Sequence, residues 1–253
     1  MLYMPVEKAL AVVLRVVDWS ESSCVVTLFT REFGKVRGIA KGGRRLKSPF
    51  ESALDLLATC RVVFLRKSSE ALDLLTEARL ERRFRPGGRD LSRLYAGYYV
   101  AELLGEMTDD YDPHPALFDA ADEALRGLAG EAPLAPCVLR FEMTALRVLG
   151  HLPSLETCAD CGKPVPIEGR VAFGLLAGGV LCGECRTGKR QVVAVSAEVL
   201  RALTAFAAAG DGWRGLAVER RTMGELRGLL NRYLANLLGR RPRMHHYLGI
   251  LSD

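Results

Sequence analysis

Two periodicities divide this chain of 253 residues. From Glu7 to Leu80 the apolar residues come in short, valine-rich runs separated by turn formers, the pattern of β-strands. The runs predict strands over Ala9–Trp19, Cys24–Thr30, Lys35–Lys41, Leu54–Leu65 and Leu72–Leu80. Turns are expected at Asp18-Trp19-Ser20-Glu21-Ser22, Glu32-Phe33-Gly34 and Lys67-Ser68-Ser69-Glu70. Five short strands at this spacing fit a small closed barrel, and an OB-fold and an SH3-like barrel give much the same string.

After the linker Arg82-Arg83-Phe84-Arg85-Pro86-Gly87-Gly88 the spacing becomes helical. Asp90 is placed to cap a first helix carrying Leu91, Leu94, Tyr98, Leu103 and Met107. Prolines at 113 and 115 break it. A second helix runs through Leu117, Ala121, Leu125 and Leu128 to Gly130, and a third spans about Leu134 to Leu149 before Gly150. Ser196 is placed to cap a helix through Val199, Leu203 and Phe206. A last helix sets Met223, Leu226, Leu230, Tyr233 and Leu237 on one face, with Arg227 and Arg232 on its polar face. Arg240, Arg241 and Arg243 follow in the tail, a second basic cluster.

Charge adds an asymmetry to this outline. The net charge is +5, but residues 1–80 carry 13 basic and 9 acidic side chains, and residues 81–157 carry 8 and 13. The basic excess concentrates in Arg31 to Lys47, where Lys35, Arg37, Lys41, Arg44, Arg45 and Lys47 form a basic strand feeding a Gly42-Gly43 loop. Such a surface suits a phosphate backbone. Its nearest aromatics in sequence are Phe33 and Phe50, so base stacking is expected to be weak beside backbone electrostatics. Apolar residues make up 49% and charged residues 26%, enough for a packed core in an ordinary globular protein. The first residues lack the basic leader and apolar core of a signal peptide, and the longest apolar run is too short for a membrane span. We therefore expect a soluble intracellular protein.

Seven cysteines, four of them in Cys-x-x-Cys pairs, point to reduced thiols and metal rather than disulfides. Cys158 and Cys161 are separated by twenty residues from Cys182 and Cys185, a spacing suited to four-thiolate zinc. Two residues between cysteines allow both sulfurs of a tight turn to face one ion, and two such turns complete a tetrahedron. Four protein ligands leave no open position for water, so the zinc is expected to be structural. His151 lies seven residues upstream as a weaker competitor. Arg170–Gly174, the Gly178-Gly179 turn and Val180-Leu181 suggest a short hairpin between the pairs, as in a zinc ribbon. Cys24, Cys60 and Cys137 are expected to be packing residues. The chain has no nucleotide-binding glycine loop or nucleophile elbow, and none of its four histidines stands in a recognisable catalytic setting, so no enzymatic activity is expected.

The order of parts and three segments carry a resemblance. They are Gly34-Lys-Val-Arg-Gly-Ile-Ala-Lys-Gly-Gly-Arg-Arg-Leu-Lys-Ser48, Phe141-Glu142 with Leu146 to Gly150, and the two cysteine pairs with Gly178-Gly179 before the second. Together they resemble the RecO family of bacterial recombination mediators over nearly the whole chain. The resemblance implies a multidomain α+β protein. Residues 1–80 would form a five-stranded OB-fold barrel that binds DNA, and 81–253 an α-helical domain with an inserted four-cysteine, zinc ribbon-like unit at 156–188. It implies a DNA repair factor that binds single- and double-stranded DNA and anneals complementary strands. Such a factor engages the C-terminal tail of single-stranded DNA-binding protein and works with RecR to load RecA, in the cytoplasm at the nucleoid. By that likeness Lys35, Arg37, Lys41, Arg44, Arg45 and Lys47 contact DNA, and Cys158, Cys161, Cys182 and Cys185 hold zinc. The alternative is a zinc-containing adaptor that binds proteins and not DNA.

Overall fold

The computed structural model describes residues 5–45, 48–50, 53–67, 71–87 and 91–252, without the side chains of 248–252. The chain divides into two compact units, Met1–Ala132 and Pro133–Asp253. In the first, β1 (Val6–Asp18), β2 (Cys24–Thr30), β3 (Gly34–Ala40), β4 (Thr59–Leu65) and β5 (Asp73–Arg82) hydrogen-bond in the order β1-β2-β3-β5-β4, and β4 returns to β1. The helices α1 (Leu91–Met107) and α2 (Pro115–Ala129) belong to the same unit.

Strand β1 makes closure possible because it serves two neighbours. Val6–Val12 pair with β4 and Ala11–Asp18 with β2, and the register shifts between Val13 and Arg15. A bulge of this kind bends a strand and increases its twist, which lets a five-stranded sheet curl onto itself. Pairing of β3 with β5 is parallel, over Gly38–Ala40 and Asp73–Leu75. Alternate residues then face inward: Val26, Leu28, Val36, Ala40, Val62, Phe64 and Leu75 are all buried in one core. Burial of each large apolar side chain contributes about 1.5–3 kcal/mol, so this core holds the ring together.

Strand β2 matches its expected limits, β3 and β5 lie within two residues of theirs, and β1 begins three residues early. The fourth strand differs more: residues 53–57 form turns and β4 begins only at Thr59. Leu57 donates its N–H to the Val13 carbonyl and the Ala58 carbonyl accepts from the Val13 N–H, at the point where β1 bulges. Ala53, Leu57 and Ala58 are buried there, which explains why a turn segment reads as an apolar strand. The expected Lys67–Glu70 turn falls partly, and the Asp90 cap wholly, outside the described residues.

Gly34 shows why the segment after α1 can approach β3. It adopts φ +69°, and a Cβ there would stand 2.0 Å from the Asp112 carbonyl oxygen. Only glycine fits both the backbone angle and the space. The neighbouring contacts are Tyr111 N–H to the Lys35 carbonyl, 2.9 Å, and the Tyr111 hydroxyl to Asp73. The Arg66 guanidinium covers the Tyr111 ring at 4.0 Å.

The second unit contains α3 (Leu134–Val148), β6 (Arg170–Gly174), β7 (Gly179–Val180), β8 (Val192–Ser196), α4 (Ala197–Ala207) and α5 (Arg220–Leu237), with 3-10 turns at Gly212–Gly215 and Arg243–Ser252. The expected hairpin is present as β6–β7, and β8 adds to the other edge of β6. Two expectations change. Ser196 precedes α4 but its hydroxyl does not cap that helix; it donates to Glu225 at 2.9 Å, and Glu225 also accepts from the Ser196 N–H and from Arg170. Arg227, expected on the polar face of α5, is 5% exposed and forms a two-pronged pair with the fully buried Glu142 of α3. A buried carboxylate draws a guanidinium inward because an unpaired charge there is far more costly than a bent amphipathic pattern.

Candidate nucleic-acid interface and four-cysteine centre

Strand alternation sorts the basic residues of β3. Val36, Gly38 and Ala40 are buried, so Lys35, Arg37 and Ile39 point away from the core. The two cations then part company. The Lys35 side chain is only 15% exposed, and its ammonium donates to the carbonyls of Gly105 (2.9 Å) and Thr108 at the end of α1. Those carbonyls lack partners within the helix, and the negative end of the helix dipole adds to the attraction. Lys35 thus ties α1 to the sheet. Lys35→Met is expected to lower the urea-unfolding free energy by about 1–3 kcal/mol. Arg37→Met, at an exposed position, should stay within about 0.5 kcal/mol of the parent. Equal effects of the two would refute this division of roles.

Arg37 is 56% exposed and pairs with Asp110, Nε to Oδ2 2.8 Å. On the other side of Arg37, across Thr27 of β2, stands Arg15 of β1: Arg15 pairs in register with Thr27, and Thr27 with Arg37. Two strand spacings separate the arginines by about 10 Å. Sequence reasoning did not single out Arg15, which sits in an otherwise apolar run; its mark was a lone cation at an outward-facing position.

The loop after β3 is held by Arg44. Its N–H donates to the Ser22 carbonyl (3.1 Å), its guanidinium to the Ser20 carbonyl (3.0 Å), and it pairs with Asp18 at 3.2 Å. The β1–β2 turn and the basic loop are therefore stapled together. Gly42 supplies the turn with φ +74°. Lys41 and Arg45 are exposed and have no ion-pair partner among the described residues. Lys47 lies outside the described residues. The aromatic expectation shifts too. Phe50 is buried and Phe33 packs edge-on against Phe64 at 5.6 Å, whereas Trp19, in the stapled turn, is 68% exposed.

Of the acidic residues between α1 and α2, Asp110 pairs with Lys35 and Arg37, and Asp112 with His114 at 2.9 Å. Other cations are spent as Lys35 is. Arg93 donates to the Gly130 carbonyl after α2 (2.9 Å), and Arg147 to the Ala207 carbonyl at the end of α4 (2.9 Å). Total charge therefore overstates what a polyanion can meet.

In the second unit the Sγ atoms of Cys158, Cys161, Cys182 and Cys185 all lie within 4.8 Å of one another. Cys161 and Cys182 are 3.9 Å apart, and a tetrahedral ion with sulfurs at ~2.3 Å separates them by about 3.8 Å. Residues 158–163 and 182–186 form the two knuckles: Gly162 N–H bonds the Cys158 carbonyl (2.8 Å), and Arg186 N–H the Cys182 carbonyl (3.1 Å). Backbone N–H groups also point at sulfur, Cys182 to Cys158 and Cys185 to Cys182, both 3.4 Å. Donation from the Cys182 and Cys161 backbones holds the Cys158 thiol down to about 6. Sharing hydrogen bonds with Cys182 and then Cys161 pushes the Cys185 thiol up. The donor set and spacing fit a metal ion. His151 is exposed, and its carbonyl accepts from Tyr233; it does not join the cluster. Cys24, Cys60 and Cys137 are buried, and burial pushes the Cys60 thiol up to about 12, as suits packing residues. No helix among the described residues is long and apolar enough to cross a membrane.

Comparison with known proteins covers both units. Residues 4–84 match the family model described as Recombination protein O N terminal, and residues 88–246 match Recombination protein O C terminal. The chain is 40% identical over 263 residues to the DNA repair protein RecO of Rhodopirellula baltica, covering 94% of this chain and 97% of that one. It is 37% identical over 243 residues to the DNA repair protein RecO of Anaeromyxobacter dehalogenans, covering 95% of each. A more distant relative of the same name from Moorella thermoacetica is 30% identical over 96% of this chain and 90% of its own. Extending across the closed sheet, the helices and the cysteine cluster alike, these matches place the chain in the RecO family of DNA repair proteins.

Proposed function

We propose that this chain is a recombination mediator that holds single- and double-stranded DNA on its N-terminal ring of strands and anneals complementary strands. The observation that carries the reading is the outward cationic surface of β1–β3 and its loop; the five-stranded sheet beneath, with β1 paired to both β2 and β4, supports reading it as an OB-fold. Arg37, Lys41, Arg44, Arg45 and Lys47 make the phosphate contacts, with Arg15 extending them; Lys35 supports the surface from behind. Exchanging Asp110 or Asp18 for a phosphate costs Arg37 and Arg44 little, since exposed ion pairs contribute only about 0–1 kcal/mol. Annealing follows from neutralisation: two polyanions meet at lower cost once lysines and arginines have displaced their counterions.

In the same reading the four cysteines hold one structural zinc per chain, in a ribbon-like unit built on the β6–β7 hairpin. The ion, when bound, would supply cross-linking of the two knuckles, and no catalytic step is assigned to any residue. The helices provide the surfaces for RecR and for the C-terminal tail of single-stranded DNA-binding protein, through which RecA is loaded on covered DNA. The protein acts at the nucleoid in the cytoplasm.

A salt titration tests the central claim. Log affinity for an oligonucleotide should fall linearly with log salt, and Arg44→Ala with Arg45→Ala and Lys47→Ala should reduce the slope by up to about three. Unchanged slope and affinity in that triple variant would remove the loop from the interface. Absence of oligonucleotide binding by the parent chain would leave the protein-interaction adaptor in its place.

A further inference from the structure

We propose that Trp19 is a base-stacking platform, so that this surface grips unpaired bases as well as phosphates and favours single strands. The inference rests on the reading of the β1–β3 face as nucleic-acid-binding and adds the class of ligand that it prefers.

Trp19 is the most exposed of the large apolar side chains described, at 68%. Its ring has no aromatic or cationic partner among the described residues. Its backbone is nonetheless held. Trp19 N–H donates to the Ser23 carbonyl (3.0 Å), Ser20 N–H to the same carbonyl (3.2 Å), and Ser23 N–H to the Ser20 hydroxyl (3.1 Å). Arg44 then fastens this turn to the basic loop. An indole carried on a pinned turn loses little freedom when a ligand covers it, which favours binding.

The surroundings select the occupant. Trp19 follows the last β1–β2 pair, Asp18 with Cys24, and Lys41 follows the last β2–β3 pair, Cys24 with Ala40. The indole and the cations of the loop thus emerge at one end of the same three strands. Beside them Val17, Val25 and Ile39 stand in register across those strands, with Val17 41% exposed. An indole face, a short apolar shelf and a row of cations match the three parts of an unstacked nucleotide: base, sugar and phosphate. A duplex keeps its base faces internal and can use only the cations. A purely apolar peptide would leave Lys41 and Arg45 unmatched.

The test compares oligodeoxythymidine with an abasic oligonucleotide of equal length, which carries the same phosphates without bases. The full chain should bind the base-bearing strand more tightly by roughly 5- to 150-fold, the worth of one good stacking contact. Trp19→Ala should abolish that preference and leave the salt slope and the thermal unfolding unchanged, since the ring is exposed. Trp19→Phe should retain most of the preference. If the parent chain binds both strands equally, or Trp19→Ala still prefers the base-bearing strand, stacking by Trp19 is refuted while phosphate binding stands; the exposed indole then falls to a protein partner. Failure of the parent chain to bind either strand in a salt-dependent manner overturns the nucleic-acid reading and the stacking role together.

Discussion

Glu142→Ala is expected to lower the unfolding free energy of the second unit by about 3–5 kcal/mol, the usual consequence of stranding one half of a buried ion pair. Glu142 is 0% exposed in its side chain and Arg227 6%, so neither can turn to water without opening α3 from α5. Both prongs are made: Nη2 donates to Oε1 at 2.9 Å and Nη1 to Oε2. Arg227 Nη2 also donates to Asn231 Oδ1 (2.8 Å), so the guanidinium is positioned from its own helix as well. Removing the carboxylate leaves a cation in an apolar interior, with desolvation no longer offset by attraction. Joint replacement Glu142→Leu with Arg227→Met should recover most of the loss, because two apolar groups of similar length need no partner. Chemical denaturation of the parent, single and double variants measures all three. A single variant within 1 kcal/mol of the parent, on the order of an exposed pair, would show that water reaches this site in solution.

The second large effect concerns the cysteines. The purified chain should contain one zinc, and Cys182→Ser should abolish stoichiometric binding. The loss should exceed the ~10–100-fold that removal of a supporting hydrogen bond costs a metal site. Cys182 is the pivot because its sulfur lies 3.9 Å from Cys161 and accepts the Cys185 N–H, so both knuckles lose a contact at once. Hydrogen exchange at residues 158–163 and 182–186 should accelerate, while β6 and β8, paired over five residues, remain protected. Metal affinity should also weaken as pH falls, since thiols must give up protons to bind. Metal-free protein whose four thiols titrate as freely as a small-molecule thiol would end the metal assignment. The surrounding ion pairs, Lys189 with Asp160 (2.6 Å) and Lys163 with Glu184 (3.4 Å), are exposed and are expected to matter far less.

What the sequence by itself determined was everything governed by local periodicity or fixed spacing. β-Branched alternation located β2 within its observed limits and β1, β3 and β5 within two or three residues, because side chains on a strand must alternate between core and solvent. Helical spacing located α2, α3 and α5 for the corresponding reason, whereas the stripe expected in α1 is only partly the buried one, with Leu103 inside and Leu91 57% exposed. The Cys-x-x-Cys pairs marked a four-sulfur cluster because a knuckle closes over two residues. Tertiary structure decided which cations are free. Lys35, Arg37 and Arg44 look equivalent along the chain, yet one caps α1, one pairs with Asp110 and one staples two loops. Their partners lie 70 and 73 residues away for the first two, and 24 residues away, beyond β2 and β3, for the third. The same dependence on distant partners turned Arg227 inward to meet Glu142, 85 positions before it. It also buried Phe50, a neighbour of the basic loop in sequence, and left Trp19 in the open beside that loop. A residue's type sets the charge or the ring that it offers, but only the folded neighbourhood fixes whether a distant carbonyl, a carboxylate or solvent receives it.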